Sequence, residues 1–109
     1  MADHALDRLF KIIVSRRGGD VTKSYTAQLL KEGPAKCAKN FGEEAVEVVL
    51  AAVAKDKKAL TAESADVLYH LLVVWAACGV VPDDVYATLA AREKQSGLAE
   101  KAARKRKRA

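Results

Sequence analysis

Glu43, Glu44 and Glu47 put three carboxylates within five residues, and Glu63, Asp66 and His70 follow at helical spacings of three and four. Both groups lie in segments whose apolar residues recur with helical period, so each projects from a helix. Like charges this close on a helix repel by roughly 0.2–0.5 kcal/mol per pair, so something positive should compensate them. If the two helices run antiparallel, Glu44 and Glu47 face Glu63 and Asp66 across a groove. Four carboxylates and water form an all-oxygen site that suits Mg²⁺ or Mn²⁺ rather than zinc or copper. Such ions bridge phosphate oxygens and activate water, so the expected chemistry is a metal-assisted reaction on a phosphorylated substrate. His70 shares a stripe with Glu63 and Asp66 and is a candidate substrate contact. A plainer alternative stays open on spacing alone. Lys36, Lys39, Lys57 and Lys58 could neutralise the glutamates as surface ion pairs, and His70 could be a hydrogen-bonded core residue.

The elements that must position these groups are helical throughout. Leu6, Leu9, Phe10, Ile13 and Val14 mark one apolar helix face, and Gly18-Gly19-Asp20 ends it. A short second helix runs from Ser24 or Tyr25 to Lys31 or Glu32, where Gly33-Pro34 closes it and opens the next. That third helix extends to Ala54, with Ala38, Phe41, Ala45, Val48, Val49 and Ala52 as its packing face. Lys36, Asn40, Glu43, Glu44 and Glu47 gather on the other side. Asp56 caps a fourth helix that ends at Gly79. From Val67 onward this helix is apolar nearly all round, which places it at the centre of the fold or in a subunit interface. Pro82 opens a last helix with Val85 and Leu89 inward, and Gly97 marks its end. The expected fold is all-α, an antiparallel bundle of four to five helices completed by dimerisation.

Length and composition agree with one compact domain. The 109 residues are 50% hydrophobic and 30% charged, a globular balance. No uncharged run reaches the roughly 18–20 residues of a membrane span, and the first residues lack a signal-peptide pattern. Cys37 and Cys78 have no metal-binding spacing. A cytoplasmic setting is expected. The formal net charge of +5 belongs to the tail, because residues 92–109 hold eight Lys/Arg against two Glu while residues 1–91 are nearly neutral. A domain over residues 1–103 and a basic, mobile tail over 104–109 are therefore expected.

Several blocks together resemble the phosphoribosyl-ATP pyrophosphatase family of the all-α NTP pyrophosphatase superfamily. They are E-E-x-x-E at Glu43–Glu47, E-x-x-D at Glu63–Asp66, Ser24-Tyr25-Thr26, Gly33-Pro34, Lys36-Cys37-Ala38-Lys39, Phe41-Gly42, Tyr69-His70-Leu71-Leu72 and Ser96-Gly97-Leu98. The resemblance covers roughly Leu6 to Arg104. It implies hydrolysis of phosphoribosyl-ATP to phosphoribosyl-AMP and pyrophosphate in histidine biosynthesis, and a homodimer or higher oligomer. The phosphoribosyl-AMP cyclohydrolase that takes the product onward is expected to be a separate protein. Carried onto this chain, the motif implies Glu44, Glu47, Glu63 and Asp66 as Mg²⁺ ligands, with Glu43 orienting or deprotonating the attacking water or supporting the site. Phosphate contacts could come from Lys36, Lys39, Arg16 or Arg17, with Lys36 and Lys39 ranked first for their place in the helical projection. Two other functions are weighed against this one. A housecleaning pyrophosphatase for nucleoside triphosphates would share the acidic motif. A non-catalytic nucleic-acid binder would use the tail and leave the carboxylates unexplained.

Overall fold

The computed structural model describes residues 4–94 and 97–108, so Ser96 of the resemblance and Ala109 of the basic tail lie outside the described residues. The chain forms α1 (Ala5–Ser15), α2 (Tyr25–Glu32), α3 (Pro34–Val53), α4 (Lys57–Cys78), α5 (Pro82–Arg92) and α6 (Gly97–Arg108), with no strand among the described residues. Among the described residues there are six helices, where four to five were expected, because Gly97 begins a helix instead of ending the fifth, and residues 104–108 continue it. Side-chain caps define the starts of α1, α2 and α4. His4 accepts from the Leu6 amide at 3.1 Å while Asp7 accepts from the His4 amide at 3.3 Å, a reciprocal cap. Ser24 and Asp56 accept from Ala27 and Ala59 at 3.0 Å.

Between α2 and α3 the backbone turns at Gly33 with φ 97° and ψ 176°, a region that only glycine enters readily. Pro34 then fixes the first turn of α3. The α3–α4 connection is only Ala54-Lys55-Asp56, which folds the two longest helices back on each other as a hairpin. Lys55 sits there at φ 57°, with its amide bonded to the Ala52 carbonyl at 3.0 Å and that of Asp56 to Ala51 at 3.2 Å. This helix stop ordinarily uses glycine. Lys55→Gly is therefore expected to stabilise the protein by up to about 1 kcal/mol, since the left-handed strain it relieves exceeds the entropy that glycine adds to the unfolded chain. Urea unfolding measures it, and a destabilised variant would refute it.

α4 is the central element, packed on α1, α2 and α3. Its Leu72, Val73 and Ala76 join Ile13, Leu29, Leu30 and Cys37 in one core, with Tyr69 and Trp75 half-buried against it. Arg17 donates to the Ala76 carbonyl at 2.6 Å, tying the end of α1 to α4. The Cys37 thiol donates to the Leu29 carbonyl at 3.1 Å, joining α3 to α2, and burial pushes its pKa up. α5 turns away from α4 through a bend of 112° and returns to α1 through Tyr86, whose hydroxyl donates to Asp7 at 3.0 Å. Leu89 and Val14, both expected to face inward, are exposed. No single described helix is long and apolar enough to cross a membrane.

The packing face of α3 differs from the expected one. Cys37, Phe41, Glu44, Val48 and Ala51 line the side turned to the bundle, whereas Ala38, Val49 and Ala52 are exposed. The helix carries more apolar surface than one seam can cover. α4 takes up one half, and Val46, Val49, Leu50 and Val53 are left outside, each between 55% and 77% exposed.

Candidate metal centre

The rotation of α3 brings Glu44 onto the seam with α4, half-buried, opposite Glu63 and Asp66. These residues stand roughly two turns into α4, within its first half, and the short hairpin turn sets the register that matches them with Glu44. One carboxylate oxygen from each of Glu44, Glu63 and Asp66 lies within 4.8 Å of the others. An octahedral ion at roughly 2.1 Å needs oxygen separations of roughly 3.0 Å for neighbours and 4.2 Å across the ion. A small closing movement of side chains satisfies that requirement, and the all-oxygen donor set fits a hard divalent cation.

The electrostatics agree with the geometry. The Glu63 pKa is raised, first by loss of solvation and then by the charges of Asp66, Glu44 and Glu47. Glu47 is thus close enough to act on Glu63, yet it is exposed and lies outside the group of three. Glu43 is exposed. Lys36 and Lys39 are exposed too, and among the described residues neither forms an ion pair with the cluster. The carboxylates therefore keep their mutual repulsion, which a cation would relieve.

His70, one turn beyond Asp66, is 7% exposed, and its Nδ1 has no hydrogen-bond partner. A buried polar atom without a partner is costly and rare. Two tyrosines hold the ring edge-on, Tyr69 at 5.0 Å and Tyr25 at 6.2 Å between centroids. Tyr69 is fixed in turn by a hydrogen bond between its hydroxyl and that of Thr26. Tyr25 is 54% exposed, and its hydroxyl pKa is raised by partial burial and then by the charges of Tyr69, Glu44 and Glu32, against an opposing hydrogen bond with Asn40. An aromatic ring thus stands between solvent, the buried histidine and the acidic cluster. Charge spacing gave no sign of Tyr25 here, because the side chain comes from α2. Its only trace in the sequence was the Ser24-Tyr25-Thr26 block.

Fold and site together define a class: a small all-α protein in which a helical hairpin sets carboxylates against one another in a group that could hold a metal ion. The chain belongs to the phosphoribosyl-ATP pyrophosphohydrolase family, whose model matches residues 6–93. Curated proteins called phosphoribosyl-ATP pyrophosphatase are similar along nearly the whole chain. The one from Roseobacter denitrificans is 57% identical over 99 residues, covering 91% of this chain and 94% of its own. The one from Parvibaculum lavamentivorans is also 57% identical, covering 91% of each chain. The protein from Methylobacterium radiotolerans is 55% identical over 105 residues, covering 96% of this chain and 98% of its own.

Proposed function

We propose that this chain hydrolyses phosphoribosyl-ATP to phosphoribosyl-AMP and pyrophosphate, an early step of histidine biosynthesis, in the cytoplasm. The observation that carries the reading is the triad of Glu44, Glu63 and Asp66 at the α3–α4 seam, in a chain of this family. Those three residues, with Glu47 moving in from the rim, would hold Mg²⁺, for which Mn²⁺ could substitute. A bound divalent ion would supply charge neutralisation of the triphosphate and a more acidic water.

The protein's own groups do the rest. Glu43, exposed next to the cluster, orients or deprotonates the water. Lys36 and Lys39, which have long flexible stems and no ion pair to break, swing to the departing pyrophosphate and stabilise its charge. His70 offers its free Nδ1 to the substrate, which would supply the hydrogen bond that the folded chain leaves unmade.

The test is Mg²⁺-dependent pyrophosphate release from phosphoribosyl-ATP, run beside ATP and dCTP. Release selective for phosphoribosyl-ATP is expected. Release from dCTP alone would keep the centre and change the substrate, and no release from any of the three would overturn the enzyme reading.

The same reading includes a homodimer. Val46, Val49, Leu50 and Val53 form a continuous stripe on α3 at spacings of three, one and three. An apolar patch of this kind on so small a domain marks an interface, and a second copy of α3 matches its length and chemistry. The wild type is expected to sediment at twice the chain mass, and Val49→Glu with Leu50→Glu to shift it to the monomer. A wild-type monomer at micromolar concentration would refute the dimer.

A further inference from the structure

The loop between α1 and α2 carries charge that the carboxylate centre does not use. Two adjoining depressions meet at Gly19. One, of about 390 Å³, is lined by Ser15, Arg16, Gly19, Asp20, Lys23 and Ser24. The other, of about 450 Å³, has Arg17 and Lys31 on its walls. The backbone is folded tightly here: a Cβ at Gly19 would lie 3.0 Å from the Arg16 carbonyl oxygen.

Four cations therefore border the loop, and Asp20 is the one acid lining either depression. That acid is already engaged. It accepts from the Thr22 amide at 2.8 Å and the Thr22 hydroxyl at 2.6 Å, and these bonds lower its pKa. Arg17 is committed in part to the Ala76 carbonyl. Arg16 and Lys23 are exposed and form no ion pair among the described residues. What remains is a concave, positively charged surface whose size suits a phosphomonoester and whose donors are unspent.

Its place in the fold gives it a purpose. Ser24 on its wall is followed directly by Tyr25, whose ring meets His70 and whose hydroxyl feels Glu44. One exposed aromatic residue thus links loop and carboxylate centre, following the loop directly in the chain and lying within electrostatic reach of the centre. Phosphoribosyl-ATP has the matching form: a triphosphate at one end, and a single phosphate on the added ribosyl group. An enzyme that prefers it to ATP must read that second end.

We infer that Arg16 and Lys23 bind the phosphate of the ribosyl group and so set the preference for phosphoribosyl-ATP over ATP. The inference rests on the function proposed above. Its test compares the affinities of phosphoribosyl-AMP and AMP by calorimetry, for the wild type and for Arg16→Gln with Lys23→Gln. The wild type should bind phosphoribosyl-AMP at least about tenfold tighter, the worth of one good hydrogen bond to a charged group. The double variant should bring the two ligands within about threefold while its affinity for AMP stays unchanged. Lys23→Gln alone, on an exposed loop, should lose part of the preference and serves if the double variant fails to fold. A wild type without preference, a variant that keeps it, or an equal loss for both ligands would overturn the assignment. Failure of the proposed function would show separately, as absent pyrophosphate release by the wild type.

Discussion

Glu63→Gln is expected to lower turnover by on the order of a hundredfold or more while raising the melting temperature of the metal-free protein. The two effects share one cause. Glu63 is half-buried with Glu44 and Asp66 around it, and loss of solvation and like charges raise its pKa. The fold thus makes ionisation of Glu63 less favourable than it is in the unfolded chain, yet the carboxylate is the form that a cation needs. Glutamine keeps the shape and one carbonyl oxygen but removes the charge. It relieves the repulsion and weakens the site in the same stroke, and losses of this size follow when one preorganised group at a charged centre is removed.

The sign of the pH dependence follows from the same shift. Between the ordinary glutamate value and the raised one, the folded protein binds more protons than the unfolded chain. Stability of the metal-free protein therefore falls as pH rises through that interval and stays lower above it. Mg²⁺ at neutral pH should recover the loss by binding only the folded state, about 2.7 kcal/mol at a hundred times its Kd. Thermal melts with EDTA and with Mg²⁺, for wild type and variant, read all of this. A variant with wild-type turnover would remove Glu63 from the centre, and a wild-type melt indifferent to Mg²⁺ would remove the cation.

Leu72→Ala is the second large effect, this time on stability alone. Leu72 is 1% exposed on α4, within the cluster formed by Ile13, Leu29, Leu30, Cys37, Val73 and Ala76. Truncating a buried leucine costs roughly 2–5 kcal/mol, because the lost contacts leave a cavity that close-packed neighbours fill only in part. That is a large share of the roughly 5–15 kcal/mol that holds a domain of this size. A fall in melting temperature of about 10 °C or more is expected, and urea unfolding would give the free energy. A loss below about 1 kcal/mol would mean that α4 is not the element around which the bundle is packed.

Much of this architecture was legible before any coordinates. Gly33-Pro34, Asp56, Gly79 and Pro82 punctuate the chain, and the helices begin and end beside them. The spacing of Glu44, Glu63 and Asp66 was legible for the same reason, since helical period and a short turn leave few ways to arrange them. The rotation of α3 was not. Its apolar residues spread over more than one face, and a projection finds their mean direction without knowing that the bundle covers only part of them. For that reason Ala38, Val49 and Ala52 were expected inside, where Cys37, Glu44 and Ala51 are found. Tyr25 and the basic depression were hidden for a different cause. Both depend on where α2 and its loop lie against α4, a tertiary fact with no period of its own. Gly97 was ambiguous because glycine stands at either end of a helix.

Glu44 shares its stripe of α3 with Phe41 and Val48, so the acidic centre is a stretch of the helix–helix seam itself. The α3–α4 hairpin is joined covalently at one end only, by Ala54-Lys55-Asp56. A cation gripped from both helices would act as a second fastener further along, closing a loop in the way a disulfide staple does. Chelation would then undo a structural join together with the chemistry. The hairpin could not spring apart without surrendering its ion, and an enzyme starved of metal would be a looser molecule as well as an idle one.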